Sequence, residues 1–301
     1  MTVQTNTATD HNDLFDRLRT FLTTSTGGGG AGWTELGYDG VARNVFLRAP
    51  GLAGDSEIHV GFGVTQDDPT DSYSLRGWMA RGWNATFPLT AQPQNSLIRY
   101  HPVWDSAIPY WFIANGQRVI IITKISTSYF ASYLGKFLPY GVPSDYPQPY
   151  YVGMPSDSNA RWSVDTYNVH AFFDAGPSSL ILQPSGTWFQ SINGFESGGD
   201  ARAGSSGAYV WPFNGSVVTN APFQRYRELR NNLDGTYPRF ALELYGDNPQ
   251  IDYYGQLDGV YAIPGFSAAS EDTVVIDGVT HLLIQDVSRT SRWNYAGFAL
   301  V

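Results

Sequence analysis

The sequence predicts a mainly β protein: an antiparallel sandwich or barrel-like body, preceded by an extended N-terminal arm and one short helix. Three observations predict it. After about residue 33, short β-branched and aromatic runs alternate with clusters of Gly, Pro, Asn and Asp, the texture of an all-β chain. Two segments, PYWFIANGQRVIIITKIS (109–126) and TVVIDGVTHLLIQDV (273–287), set Asn115-Gly116 and Asp277-Gly278 between apolar runs. Such dipeptides suit hairpin turns that need positive φ. Hydrophobic residues make up 42% of the 301 and charged residues 15%, so the chain can bury a large core, with roughly 75% of the unfolded surface removed from water.

In chain order, 10–24 (DHNDLFDRLRTFLTT) reads as an amphipathic helix. Leu14, Phe15, Leu18, Phe21 and Leu22 fall on one face, and Asp10 or Asn12 can cap the start. Gly27–Gly30 ends the helix and reads as a flexible joint. Residues 1–32 therefore form an arm with a helix and a Gly-rich joint. Residues 33–301 form the β-rich body, within which no firm boundary is marked. Beyond the two hairpins, strands are expected at 44–48, 57–64, 161–173, 179–183, 239–245, 258–262 and 293–300, with a helical turn at 222–231.

Composition narrows the function. A net charge of -9 argues against a nucleic-acid grip, which needs Lys and Arg to neutralise phosphates. The absence of cysteine removes disulfides, thiolate metal sites and Cys nucleophiles together. The longest unbroken aliphatic run, Val119–Ile122, is far short of the roughly 20 residues of a membrane span. The opening MTVQTNTATD has no signal-peptide character, so synthesis in the cytoplasm without the usual export is expected.

Motifs for chemistry are sparse. His11, His59, His101, His170 and His281 are too far apart in sequence to make a local metal pair, and no nucleophile elbow or phosphate loop is present. Asp67, Asp68 and Asp71 in TQDDPTDSY read as a solvated turn around Pro69 rather than a Ca²⁺ loop. Glu196 and Glu243 are the acids that a glycosidase reading would use, though no local feature singles them out. No catalytic residue, cofactor or metal ligand is assigned.

One stretch stands apart. YLGKFLPYGVPSDYPQPYYVG (133–153) directly follows a strand-like run and is dense in tyrosine and proline. Pro139, Pro143, Pro147 and Pro149 cannot donate to a sheet ladder and stiffen the loop, while tyrosine suits contact surfaces. Two readings fit: docking on another chain, or folding back over its own sheet. On the first reading the contact residues are Phe137, Tyr140, Tyr146, Tyr150 and Tyr151, with Leu14, Phe15, Leu18 and Phe21 of the helix. The 18 basic residues include only two lysines, Lys124 and Lys136. That bias fits an interface, and equally a GC-rich genome.

The succession SAIPYWFIANGQRVIIITKISTSYFASYLGKFLPYGVPSDYP (106–147) resembles a segment of virion structural proteins of tailed bacteriophages. Residues 228–245 and 253–300 resemble the same group in the same order, and the likeness extends over roughly 50–301. It implies a non-enzymatic part of a phage particle, forming a homo-oligomeric ring or sleeve at the neck, collar or tail. The implied partners are other virion proteins of the neck or tail, with no nucleic acid and no membrane. A receptor- or glycan-binding module at the tail end is the alternative, and a glycan-cleaving tail enzyme a more distant one.

Overall fold

The computed structural model describes residues 1–54, 56–141, 144–163, 179–190, 208–211, 238–247, 251–263, 268–285 and 295–300. The expected helical turn at 222–231, most of the strand at 161–173, His170, Pro143 and Glu196 lie outside them. The protein is mainly β, with one α-helix and three antiparallel sheets among the described residues. Strands are numbered in chain order.

The central sheet runs β1 (Thr2–Ala8), β7 (Ile108–Ala114), β8 (Arg118–Ile125), β9 (Ser128–Lys136), β11 (Tyr150–Gly153), β12 (Ser179–Leu182) and β13 (Trp188–Gln190). The second sheet is β2 (Thr34–Asp39), β3 (Asn44–Ala49), β4 (Ile58–Asp67), β5 (Ser72–Ala80) and β6 (Arg99–Val103) in that order. The third runs β14 (Ala208–Trp211), β15 (Phe240–Asp247), β16 (Ile251–Ile263), β19 (Tyr295–Ala299), β18 (Val279–Gln285) and β17 (Thr273–Ile276). The two-residue β10 (Leu138–Pro139) pairs with β16 beside it.

The central sheet is covered on both faces. Along β8, Val119, Ile121 and Ile125 join the core shared with the second sheet, while Ile120 and Ile122 join the core shared with the third. Strands β7, β9, β11 and β12 split in the same way, because successive side chains alternate between faces. The architecture is thus two sandwiches that share one sheet. It also explains the apolar run Val119–Ile122, since a strand buried on both sides has no polar face to alternate with.

The helix α1 (His11–Thr23) lies against the core between the central and second sheets. Asp10 caps it, its carboxylate accepting from the backbone N–H of Asn12 and Asp13, both at 2.8 Å. The arm ahead of it is extended but tied down: every residue of β1 pairs with β7, from Thr2 opposite Ala114 to Ala8 opposite Ile108. The Gly-rich segment is not a flexible joint. Gly30, Ala31, Gly32 and Trp33 donate their backbone N–H to the carbonyls of Ser25, Phe21, Thr24 and Leu22, folding the segment onto the end of α1. Those bonds satisfy carbonyls that a helix end leaves open.

Both expected hairpins are present. Asp277 and Gly278 take positive φ of 52° and 78°, as a tight turn between β17 and β18 requires. Neither Asn115 nor Gly116 enters the left-handed region, contrary to expectation. The Asn115 side chain instead accepts from the N–H of Gln117 and Arg118, forming the turn through its own carbonyl. Glycine is needed at 116 for close approach: a Cβ there would sit 2.1 Å from the Gly51 carbonyl oxygen.

Candidate functional site

The stretch 133–153 folds back over its own sheet. β9 continues to Lys136, and β11 takes a central place between β9 and β12. Tyr150 points into the core toward the second sheet and donates to the Glu57 carbonyl at 3.1 Å. Tyr151 points to the opposite face, hydrogen-bonds Ser179 at 2.8 Å and meets Tyr133 edge-on. Tyr146 donates to the Leu182 carbonyl and packs edge-on against Phe137 and Tyr254. Burial pushes the phenols of Tyr146 and Tyr151 up and raises that of Tyr150 to about 12.

The docking-surface reading is therefore corrected for eight of its nine residues. Phe137, Tyr146, Tyr150 and Tyr151 are buried within this chain, as are Leu14, Phe15, Leu18 and Phe21 of α1. Each apolar surface already has an intramolecular partner, so none is left to bind a neighbour. Tyr140 alone stays outside, 52% exposed, its hydroxyl donating to Glu243 at 2.9 Å. None of the described prolines falls within β9 or β11; Pro139 lies in the short β10.

Where the second sheet meets the central one, a cleft of about 590 Å³ opens. Arg48 sits near the end of β3 and His59 at the start of β4, opposite each other in register. Arg81 and Trp83 follow the end of β5, Lys136 ends β9, and Tyr150 begins β11 opposite Lys136. Antiparallel pairing brings these strand termini to one end of the two layers. Trp83 stacks on Phe46 at 5.4 Å between ring centres, and Phe46 lies parallel to His59 at 6.1 Å. The rings make a short ladder whose outer member, Trp83, is half-buried on the cleft wall.

The cleft is basic in an acidic protein. Arg48, Arg81 and Lys136 face one lining carboxylate, Glu57, which Arg48 bonds at 3.1 Å. Arg81 donates through Nε to the Gln148 side-chain oxygen at 2.6 Å and has no ion-pair partner among the described residues. Lys136 reaches the Ser56 hydroxyl at 3.2 Å. His59 is buried, and its Nδ1 has no hydrogen-bond partner among the described residues. Burial is the main reason its pKa lies below the ordinary value; Glu57 pulls up and Arg48 down.

The chain matches no protein-family model and no curated protein.

Sequence reasoning missed this cleft. Its residues come from β2, β3, β4, β9 and β11 and from the segments before β4, after β5 and before β11, and only the sheet order brings them together. The available signal was a cation closing each of three strand-like runs: Arg48 after NVFL, Arg81 after LRGWMA and Lys136 after SYLG. Of the acidic stretch 65–73, only 68–71 forms the turn between β4 and β5; 65–67 end β4, and Ser72 and Tyr73 begin β5 and are buried, while Asp71 pairs with Arg161 at 2.6 Å. Among the described residues no group of histidines and acids is placed to hold a metal ion. His101 is buried between the Ser132 and Thr123 hydroxyls, at 2.6 and 2.7 Å, and His281 packs edge-on against Tyr261.

Proposed function

We propose that this chain is a non-enzymatic structural component of a tailed-phage virion, assembled as an oligomeric ring or sleeve at the neck, collar or tail. The observation that supports it is the margin around β10. Leu138 and Tyr140 are 36% and 52% exposed, within the very stretch that resembles the phage proteins, while the aromatic residues around them are buried. β10 is held against β16 by pairing at Leu138 and Pro139, and the Tyr140 backbone N–H bonds the Tyr254 carbonyl at 3.1 Å. The margin is thus a fixed apolar ridge, which a neighbouring subunit would cover. A closed ring uses such heterologous contacts, each ridge meeting a different surface of the next copy.

Light scattering and chemical cross-linking of the purified protein test this. The wild type should form a discrete closed oligomer, and Leu138→Ser with Tyr140→Ser should leave a monomer with nearly unchanged resistance to urea. A wild-type monomer at every concentration, or a double variant that still assembles, would overturn the proposal.

A further inference from the structure

We propose that the basic cleft between the second and central sheets binds a saccharide bearing a carboxylate. Size, charge and shape converge on that class. The 590 Å³ volume falls within the roughly 300–1,000 Å³ typical of small-molecule sites. Arg81 offers guanidinium nitrogens that meet no acid among the described residues, and a planar guanidinium matches a carboxylate in bidentate fashion. The Arg81 head is already oriented by its 2.6 Å bond to Gln148, so little freedom is lost when an anion arrives.

The aromatic wall selects a sugar over a bare anion. Trp83 is backed by Phe46 and then His59, so its indole plane is fixed before a ligand enters. A rigid half-buried indole presents an apolar face to the C–H side of a sugar ring and an electron-rich one to polarised C–H bonds. Glu57 accepts hydrogen bonds and Gln148 can donate them, the functions needed to read ring hydroxyls. His59 is the second, independent observation. It lines the cleft, its buried Nδ1 has no hydrogen-bond partner among the described residues, and a ligand donor reaching it would remove that cost.

This proposal rests on the cleft alone and goes beyond the assembly role. The cleft residues are distinct from the Leu138–Tyr140 ridge, so either proposal can fail without the other.

Titration calorimetry and tryptophan fluorescence on the full chain test it, with tetragalacturonate and sialyllactose as acidic ligands of two shapes. Methyl-esterified tetragalacturonate and inorganic phosphate are the controls. At least one acidic ligand should bind and alter tryptophan emission, with affinity reduced about tenfold or more by Arg81→Gln and by Trp83→Ala. The methyl ester and phosphate should each bind at least about tenfold more weakly. His59→Phe, which keeps the ring ladder, should weaken binding without unfolding the protein. Failure of both acidic ligands would overturn the proposal. So would equal binding of the ester or of phosphate, or affinity untouched by Arg81→Gln and Trp83→Ala in variants that stay folded.

Discussion

Replacing Asp258 with alanine removes the carboxylate beside the buried guanidinium of Arg118. Arg118 is fully buried, and its Nε donates to Asp258 Oδ2 at 3.1 Å. The same oxygen accepts from the Asn115 and Gln117 side-chain amides at 2.8 and 3.3 Å, so one atom ties the β7–β8 hairpin to the third sheet. Without it the guanidinium keeps the Ile113 carbonyl at 3.4 Å and the Met1 sulfur at 3.1 Å, neither of them charged. Removing one partner of a buried pair costs about 3–5 kcal/mol. The Asp258 side chain is 23% exposed, which lets water reach the vacated position and places the expected loss near the lower end, ~3 kcal/mol. Asp258→Asn keeps an acceptor in place and should cost about half as much. Urea unfolding followed by tryptophan fluorescence reads both, as a lower midpoint at unchanged slope. The pair Arg118→Met with Asp258→Leu should return to within ~1 kcal/mol of wild type, since neither charge is then stranded. A loss below ~1 kcal/mol for Asp258→Ala, or a double variant no better than that single one, would refute the reasoning.

Tyr140→Ala should change stability by no more than about 0.5 kcal/mol, whereas Tyr146→Ala should cost about 3–5 kcal/mol; matched urea midpoints would return the stretch to the surface. Gly259 has a φ of +74° and faces Arg118, a Cβ there lying 2.3 Å from Nη2. Gly278 has a φ of +78° with nothing within 4 Å of a Cβ. Gly259→Ala should therefore lose clearly more stability than Gly278→Ala, for which only the ~1–2 kcal/mol backbone term applies. Acid should destabilise the fold in two stages. His59 and His281 lie below their ordinary pKa of 6.5, chiefly through burial, so the unfolded chain takes up those protons first. Their contribution is complete above about pH 6.5 and declines as pH falls toward their folded values. Asp13 and Glu271 follow. Burial raises each, but together the Thr9 N–H and Arg17 outweigh it at Asp13, and Lys124 and Tyr129 do so at Glu271. Their stabilisation is lost below about pH 4. A urea midpoint that stays level between about pH 7 and pH 5 would contradict the first stage.

The fold was legible wherever the information was local. The Asp10 cap, the apolar face of α1 and both hairpins rest on contacts between residues close in sequence. Strands carrying buried polar residues were missed. β5 buries Ser72 and Ser74, and β6 buries Arg99 and His101, so in neither strand do the polar side chains mark a solvent face. The sequence marks 1–8 only as an extended arm, since TVQTNTA has no hydrophobic face; it is an edge strand paired along its length with β7. The Gly-rich segment misled for the opposite reason. Glycine permits flexibility without requiring it, and here the segment's backbone donors close the end of α1.

The 133–153 stretch shows why composition could not settle which way its tyrosines face. Tyrosine and proline density signals a rigid surface seeking contact, and that much is correct. For Tyr133, Tyr146 and Tyr151 the partner is supplied by Leu242, Leu244, Leu257 and Val260 of the third sheet and by Ile181 of β12, residues far along the chain, whereas Tyr150 enters the core shared with the second sheet. One sequence feature did carry the answer. Val119–Ile122 has apolar side chains at four successive positions, so both faces of its strand must be covered, and any sheet that includes it needs a layer on each side. Once two covering layers are required, the aromatic residues on the neighbouring β9 and β11 fall between layers. Among the described residues of this stretch, Leu138 and Tyr140 are the large apolar side chains that stay exposed. The cleft follows from the same construction. Layers pack along their centres and part at their ends, and strand termini are where charged side chains can sit without burial. The end at which Arg48, Arg81 and Lys136 meet is therefore open and positive, because the sheets that close the core cannot also close their own ends.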